Sequence, residues 1–196
     1  MSSSRRRELA CAARFVFEVG YLKRLPRFGA TYAGVGGDET VAAHSFRTAV
    51  IAGVLAAAEG LDVARASLMA LVHDLPETRT GDLNLVQKRY LQRSVPPGEI
   101  VAAQTDGLPA AFAVEVAAVV GEYLERRTPL ARLVHDADLL EGIARARELA
   151  ASRPELMDAW ARNLARDLTL ATSRDLYDQL MTHSPDDWWV TLARGG

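Results

Sequence analysis

The sequence predicts an all-α fold built as one domain, and three observations carry that expectation. Apolar residues recur three and four positions apart in one segment after another, which places them on one face of a helix. No stretch alternates apolar and polar residues over the length of a strand. The breaks between periodic segments are short and marked by Gly, Pro and capping residues, with no long linker and no internal repeat.

In order along the chain, Leu9, Ala13, Val16, Phe17 and Leu22 predict an amphipathic helix over about residues 5–25, ended by Pro26. A loop follows that contains Gly29, Gly34, Gly36 and Gly37. It lacks the Lys and the spacing of a phosphate-cradling loop. Asp38 is expected to cap a second helix, from Glu39 or Thr40 to about Glu59, with His44 in its first turns and Gly60 closing it. Asp62 caps a third helix, in which Val63, Ala66, Leu68, Met69, Leu71 and Val72 leave little polar surface before His73. Pro76 has no N–H for the carbonyl of Val72, so this helix kinks or stops near Leu75 and leaves His73, Asp74 and Glu77 at its end.

After Gly81 and Asp82, Asn84 caps a helix expected to run through Arg93, and Ser-Val-Pro-Pro-Gly breaks it. A weaker helix reaches about Thr105, the turn Asp106-Gly107-Leu108-Pro109 follows, and residues 109–126 form an Ala- and Val-rich helix. Thr128 and Pro129 supply a cap and a first-turn Pro for a helix to about Ala151, with Asp136 and Asp138 flanking its apolar stripe. Pro154 opens a helical region to about Met181, and the tail is expected to dock through Trp188 and Trp189.

Composition narrows the function. The chain has 196 residues, 49% of them hydrophobic, enough for one domain with a substantial core. Its 23 basic and 25 acidic residues give a net charge of -2. That balance argues against a nucleic-acid polymer or an anionic membrane as partner, and for a small substrate. The single Cys11 excludes an internal disulfide and a thiolate zinc site, and a cytoplasmic location is the expectation. The longest low-polarity run, Thr48 to Ala58, is shorter than a membrane-spanning helix needs and reads as buried.

Chemistry-bearing residues fall on separate helices: His44, then His73-Asp74, then one acid of the pair Asp136/Asp138. Two imidazoles with carboxylates form a mixed nitrogen and oxygen set that suits Mn, Fe, Co, Ni or Zn better than Ca or Mg. Metal-bound water ionises near neutral pH while the cation polarises a phosphoryl oxygen, a pairing that serves hydrolysis. Periodicity does not choose between Asp136 and Asp138. His135 reads as a helix-surface residue rather than a support for the metal ligands, His183 has no partner motif, and Lys88, Arg89 and Arg93 read as a solvated basic face rather than a phosphate contact.

These motifs resemble the HD-domain metal-dependent phosphohydrolase superfamily, and within it the HD-domain 5'-deoxynucleotidase-like group. The resemblance rests on Glu39-Thr40-Val41-Ala42-Ala43-His44, on His73-Asp74-Leu75-Pro76-Glu77-Thr78-Arg79-Thr80-Gly81-Asp82 and on Ala137-Asp138, and runs with interruptions from about Leu22 to Glu141. It implies a single-domain HD-type helical bundle over residues 1–196, with a motif-bearing core at about 22–141 and C-terminal helices at about 154–196. It further implies one divalent metal held by His44, His73, Asp74 and Asp138, which leaves Asp136 as a supporting or solvated residue. Glu77 and Asp82 are the implied catalytic residues, Glu77 on the attacking water and Asp82 on the sugar or a proton. Arg27 is implied to orient the substrate phosphate, with Leu83 and Asn84 lining the pocket.

Ala30 stands where the family segment has Trp, so the sugar-stacking or pocket-wall contact is either missing or supplied by Phe28 or Tyr32, and Ala43 stands where an acid often precedes the first His. The implied reaction removes phosphate from a nucleoside 5'-monophosphate, deoxynucleotides preferred, or from a similar small phosphomonoester. A nucleoside triphosphate or second-messenger hydrolase, and a catalytically weak nucleotide-binding module, are the alternatives. The apolar tail and Ala-rich helices suggest a homodimer.

Overall fold

The computed structural model describes residues 2–29, 31–35, 38–91 and 94–193. Among these there are eleven α-helices and no strand. They are α1 (Ser3–Gly20), α2 (Val41–Glu59), α3 (Val63–Val72), α4 (Glu77–Thr80), α5 (Leu85–Tyr90), α6 (Pro97–Thr105), α7 (Ala110–Glu125), α8 (Pro129–Leu149), α9 (Pro154–Ala165), α10 (Ala171–Thr182) and α11 (Asp187–Ala193). Arg93, Gly36, Gly37 and Ala30, each given a part in the sequence reading, lie outside the described residues.

Helices α2, α3 and α8 form the centre, with α7, α9 and α10 packed around them. Ala52, Leu55 and Ala56 of α2 meet Ala66, Met69 and Ala70 of α3 and Leu133, Ala137, Leu140 and Ile143 of α8, all buried. Small residues let these helices approach closely: a Cβ on Gly53 would stand 2.9 Å from Ser67 Oγ. Met157, Ala161 and Leu168 carry the same core into the C-terminal helices. Helix α2 is long and apolar enough to cross a membrane, but it carries His44 and Arg47 and packs against α3 and α8.

Several local expectations change. The cap of α2 is Thr40, whose hydroxyl accepts from the Ala43 N–H at 3.2 Å, while Asp38 pairs with Arg145. An antiparallel bridge between Pro26 and Thr40 explains this, because it keeps the backbone extended up to Thr40. Helix α1 gives way to a 3-10 turn at Tyr21–Lys23. It also packs through a different face: Phe15 and Val19 meet Leu75, Val101, Val116 and Val120, whereas Leu9, Val16 and Phe17 are exposed.

The helical region that Pro154 opens consists of α9 and α10, and Asp136 holds the break between them. Its carboxylate accepts from the backbone N–H groups of Thr169 (3.0 Å) and Leu170 (2.9 Å) and from the Thr169 hydroxyl (3.1 Å). The tail does not dock through its tryptophans: Trp188 is 71% exposed and Trp189 48%, with the Trp189 indole N–H spent on Asp186.

Candidate metal centre

The HD segment leaves α3 through a tight turn. The Leu75 N–H bonds the Val72 carbonyl at 3.0 Å and the Glu77 N–H bonds that of Asp74 at 2.9 Å, a three-residue spacing that overwinds the chain where Pro76 has no donor. Glu77 then opens α4, buried, and Gly81 leaves it with φ +76, a left-handed conformation that favours Gly. Asp82 follows and points back: its Oδ2 accepts the Phe28 N–H at 2.6 Å and its Oδ1 meets Arg27 Nη1 at 3.3 Å. The Pro26–Thr40 bridge pins the other side of the same segment, with the Arg27 N–H on the Glu39 carbonyl and the Val41 N–H on that of Leu25, each at 3.0 Å. Arg27 is thereby fixed over the first turns of α2, which carry His44.

The ligating atoms of His44, His73 and Asp74 come together from α2 and the end of α3, all within 4.8 Å of one another. Asp138, on α8, joins them, its Oδ1 3.1 Å from His44 Nε2 and 4.0 Å from His73 Nε2. Asp74 Oδ2 lies 3.1 Å from His73 Nε2 and 3.7 Å from His44 Nε2.

The outer face of each imidazole is occupied. His44 Nδ1–H donates to Glu141 Oε2 at 2.5 Å, and His73 Nδ1–H to the Ala70 carbonyl at 2.6 Å. With both Nδ1 atoms protonated, both Nε2 atoms turn inward. They are buried, and despite the short distances neither meets a neighbour with hydrogen-bond geometry. Two buried acceptor nitrogens facing two carboxylates repel unless positive charge lies between them, and a divalent cation that takes mixed nitrogen and oxygen donors fits this set.

The titration of these groups reports the same demand. Burial disfavours the His44 imidazolium and Arg27 repels it, yet Asp138 and Glu141 push its pKa up to about 10. His73 is raised as well, against burial, by Asp74. Burial works against the Asp74 and Asp138 carboxylates, but the histidines and Arg27 hold both below the ordinary range. Glu77 goes the other way, pushed up to about 9 by burial and by the charges of Asp74 and Asp82.

Arg27 stands among the acids, 3.1 Å from Asp74 Oδ2 and 3.5 Å from Asp138 Oδ1 in addition to its Asp82 contact. Burial opposes its charge, but these carboxylates raise its pKa above the ordinary guanidinium value. Leu83 and Asn84 are half-buried beyond Asp82. The Asn84 side-chain carbonyl is committed to capping α5, accepting from the N–H groups of Val86 (3.0 Å) and Gln87 (2.9 Å). Lys88 and Arg89 are exposed, as expected, whereas His135 is half-buried beside Arg126.

Asp136 is corrected: it is completely buried and neither supports the metal ligands nor meets solvent, because it holds the turn before α10. Three further residues at the site escaped the sequence reading. Glu141 follows Asp138 by three positions, Arg47 follows His44 by three, and this helical spacing on two ligand-bearing helices is the signal that could have found them. Tyr123 donates to Asp138 Oδ2 at 3.0 Å and packs edge-on against His73, but nothing marks it within an apolar helix. Near the Arg27 segment, Tyr32 is exposed, and the aromatic side chain that reaches Gly29 is Trp160 of α9.

Known proteins resemble this chain in sequence and in fold. A family model described as HD domain matches residues 19–169. The 5'-deoxynucleotidase HDDC2 of Mus musculus is 32% identical over 139 residues, covering 69% of this chain and 68% of that protein. Its Xenopus laevis counterpart is 33% identical over 139 residues, covering 69% and 67%. Among solved structures, a conserved hypothetical protein from Pyrococcus furiosus superposes with a TM-score of 0.70 at 29% identity, covering 87% of this chain and 99% of the other. A protein from Magnetospirillum magnetotacticum described as a predicted metal-dependent phosphohydrolase gives a TM-score of 0.66 at 25% identity, covering 89% and 96%. All the convergent residues fall within the matched span, and the chain belongs to the HD domain family.

Proposed function

We propose that this protein is a metal-dependent phosphohydrolase that removes phosphate from nucleoside 5'-monophosphates, deoxynucleotides preferred, or from similar small phosphomonoesters. The observation that carries the reading is the convergence of two buried, inward-facing Nε2 atoms and Asp74 beside Arg27 and Glu77. The similarity to proteins named 5'-deoxynucleotidase supports the substrate class.

His44, His73, Asp74 and Asp138 hold the cation in this reading. When bound, it supplies Lewis acidity that acidifies water and polarises a phosphoryl oxygen. Arg27 offers a planar donor pair to the phosphate, exchanging part of its contact with the acids for the substrate. Asp82 keeps Arg27 and the Phe28 N–H in register while facing the sugar, and Leu83 and Asn84 wall that end. Glu77 takes the proton of the attacking water. Its high proton affinity comes from burial and from the charges of Asp74 and Asp82, and neutralising those acids removes the second cause and favours the carboxylate form that a base needs.

The whole chain forms one HD domain in this account, motif-bearing core and C-terminal helices together, and a homodimer is proposed through its exposed apolar faces. A panel of nucleoside 5'-monophosphates, triphosphates and cyclic nucleotides tested with Mn2+, Co2+, Fe2+, Ni2+ and Zn2+ examines the function. Orthophosphate release from monophosphates is expected. Pyrophosphate or triphosphate as the product, or tight nucleotide binding without turnover, would favour the alternatives instead.

A further inference from the structure

Glu141 is buried on α8, one turn beyond Asp138, and its two oxygens face different partners. Oε2 takes the Nδ1–H of His44 at 2.5 Å, and Oε1 takes Arg47 Nε at 2.9 Å and Nη2 at 2.6 Å. Arg47 is itself tied to Glu148, and its Nη2 stands 3.9 Å from Glu39. The carboxylate thus bridges a planar guanidinium fork, anchored at the protein surface, to the outer nitrogen of one imidazole.

We propose that Glu141, clamped by Arg47, is a positioning residue that sets the tautomer and ring orientation of His44 and so tunes its strength as a metal ligand. The inference rests on the metal-centre reading above and deepens it. A carboxylate acceptor keeps the proton on Nδ1, which directs the Nε2 lone pair inward, and adds electron density to the ring. The arrangement is asymmetric. His73 relies on the neutral Ala70 carbonyl for the same task, so charge reaches the cation through His44 rather than through His73.

Zn2+ serves as the probe. Calorimetry would give its affinity for the parent chain, Glu141→Gln and Glu141→Ala, while the imidazole Nδ1–H resonances of the Zn2+-loaded proteins are read by 15N NMR. Glu141→Ala is expected to weaken Zn2+ binding on the order of 10–100-fold and to abolish the protected His44 Nδ1–H signal. The His73 signal stays in place as an internal reference. Glu141→Gln retains an acceptor without its charge, so the His44 signal survives and the Kd rises by less.

Should the alanine variant fail to fold, Glu141→Gln decides alone: a Kd equal to the parent's overturns the proposal. An alanine variant that keeps the parent's affinity, or the protected His44 proton, overturns it too. Failure of the parent chain to bind Zn2+ or any of the other four cations overturns the metal-centre reading itself, and this inference with it.

Discussion

At His44 and His73 the imidazoles are turned inward by different devices, a carboxylate for one and a main-chain carbonyl for the other. Removing His44 therefore leaves more than a missing ligand. Glu141 and Asp138 lose their shared partner and remain buried or half-buried acids, so His44→Ala is expected to lose metal and to lower the melting temperature together. Metal analysis and thermal unfolding of the same sample would check both. Arg27 carries a different burden, since it compensates Asp74, Asp82 and Asp138 as well as facing the proposed phosphate. Arg27→Lys keeps the charge but not the planar fork, and a rise in KM on the order of 10-fold or more, with metal content unchanged, is expected in steady-state kinetics. An unchanged KM would remove Arg27 from substrate recognition. The sequence reading reached Arg27, His44, His73, Asp74, Glu77, Asp82 and Asp138 because each belongs to a spaced motif. It missed Tyr123, whose hydroxyl acts on Asp138 although no motif in α7 links it to that residue of α8.

Among the elements, short α4 matters out of proportion to its length, because it carries Glu77 and is too short to hold its own geometry. It is held from outside by Glu18 of α1 and Gln104 of α6. Glu18 accepts from Arg79 Nε at 2.7 Å and Nη2 at 3.0 Å, and Gln104 Nε2 donates to Thr78 Oγ1 at 2.7 Å and to the Leu75 carbonyl at 3.2 Å. The hydrogen bonds from Arg79 hold the Glu18 carboxyl below its ordinary 4.5, against partial burial. A carboxyl depressed on folding contributes stability that is present above the unfolded value and is lost as pH falls through the folded one. Glu18→Gln should thus reduce the melting temperature at neutral pH and flatten its decline below about pH 4.5. With Arg79 largely exposed, the neutral-pH loss is about 0.2–1 kcal/mol, read from denaturant unfolding. A loss that persists unchanged at pH 3 would contradict this assignment. Asp136 makes the contrasting case. Asp136 is itself completely buried and makes four part-buried hydrogen bonds to the Thr169–Leu170 turn, so Asp136→Ala, which removes them all, is expected to cost about 1–3 kcal/mol in denaturant unfolding. Helical periodicity showed where Asp136 lies on α8 but could not show a turn more than thirty residues later, which only tertiary packing brings to it.

Over the whole molecule, the helical class and most helix starts were legible, because Asp62, Asn84, Thr128 and the prolines act through neighbours a few residues away. What was not legible depends on distant contacts. The cap of α2 moved to Thr40 through a bridge to Pro26, the buried face of α1 was decided by Val101, Val116 and Val120, and the tail tryptophans found no groove. The site follows the same division: its motif residues were readable, and the residues that steady them were not. Since the four proposed ligands tie α2, the end of α3 and α8 together, metal should stabilise the fold as a whole. Chelation is expected to lower the melting temperature by several degrees, with recovery on adding the cation back, and a melting temperature indifferent to chelation would count against a metal bridging these helices.

The most direct test couples metal content to turnover in Glu77→Ala. About one divalent ion per chain is expected in both the parent and the variant, with metal-dependent phosphate release from a nucleoside 5'-monophosphate in the parent alone, the variant falling by at least about 100-fold. Loss of metal along with activity would make Glu77 a ligand rather than the base. Parent protein that holds metal yet releases no phosphate from any monophosphate would contradict the proposed reaction.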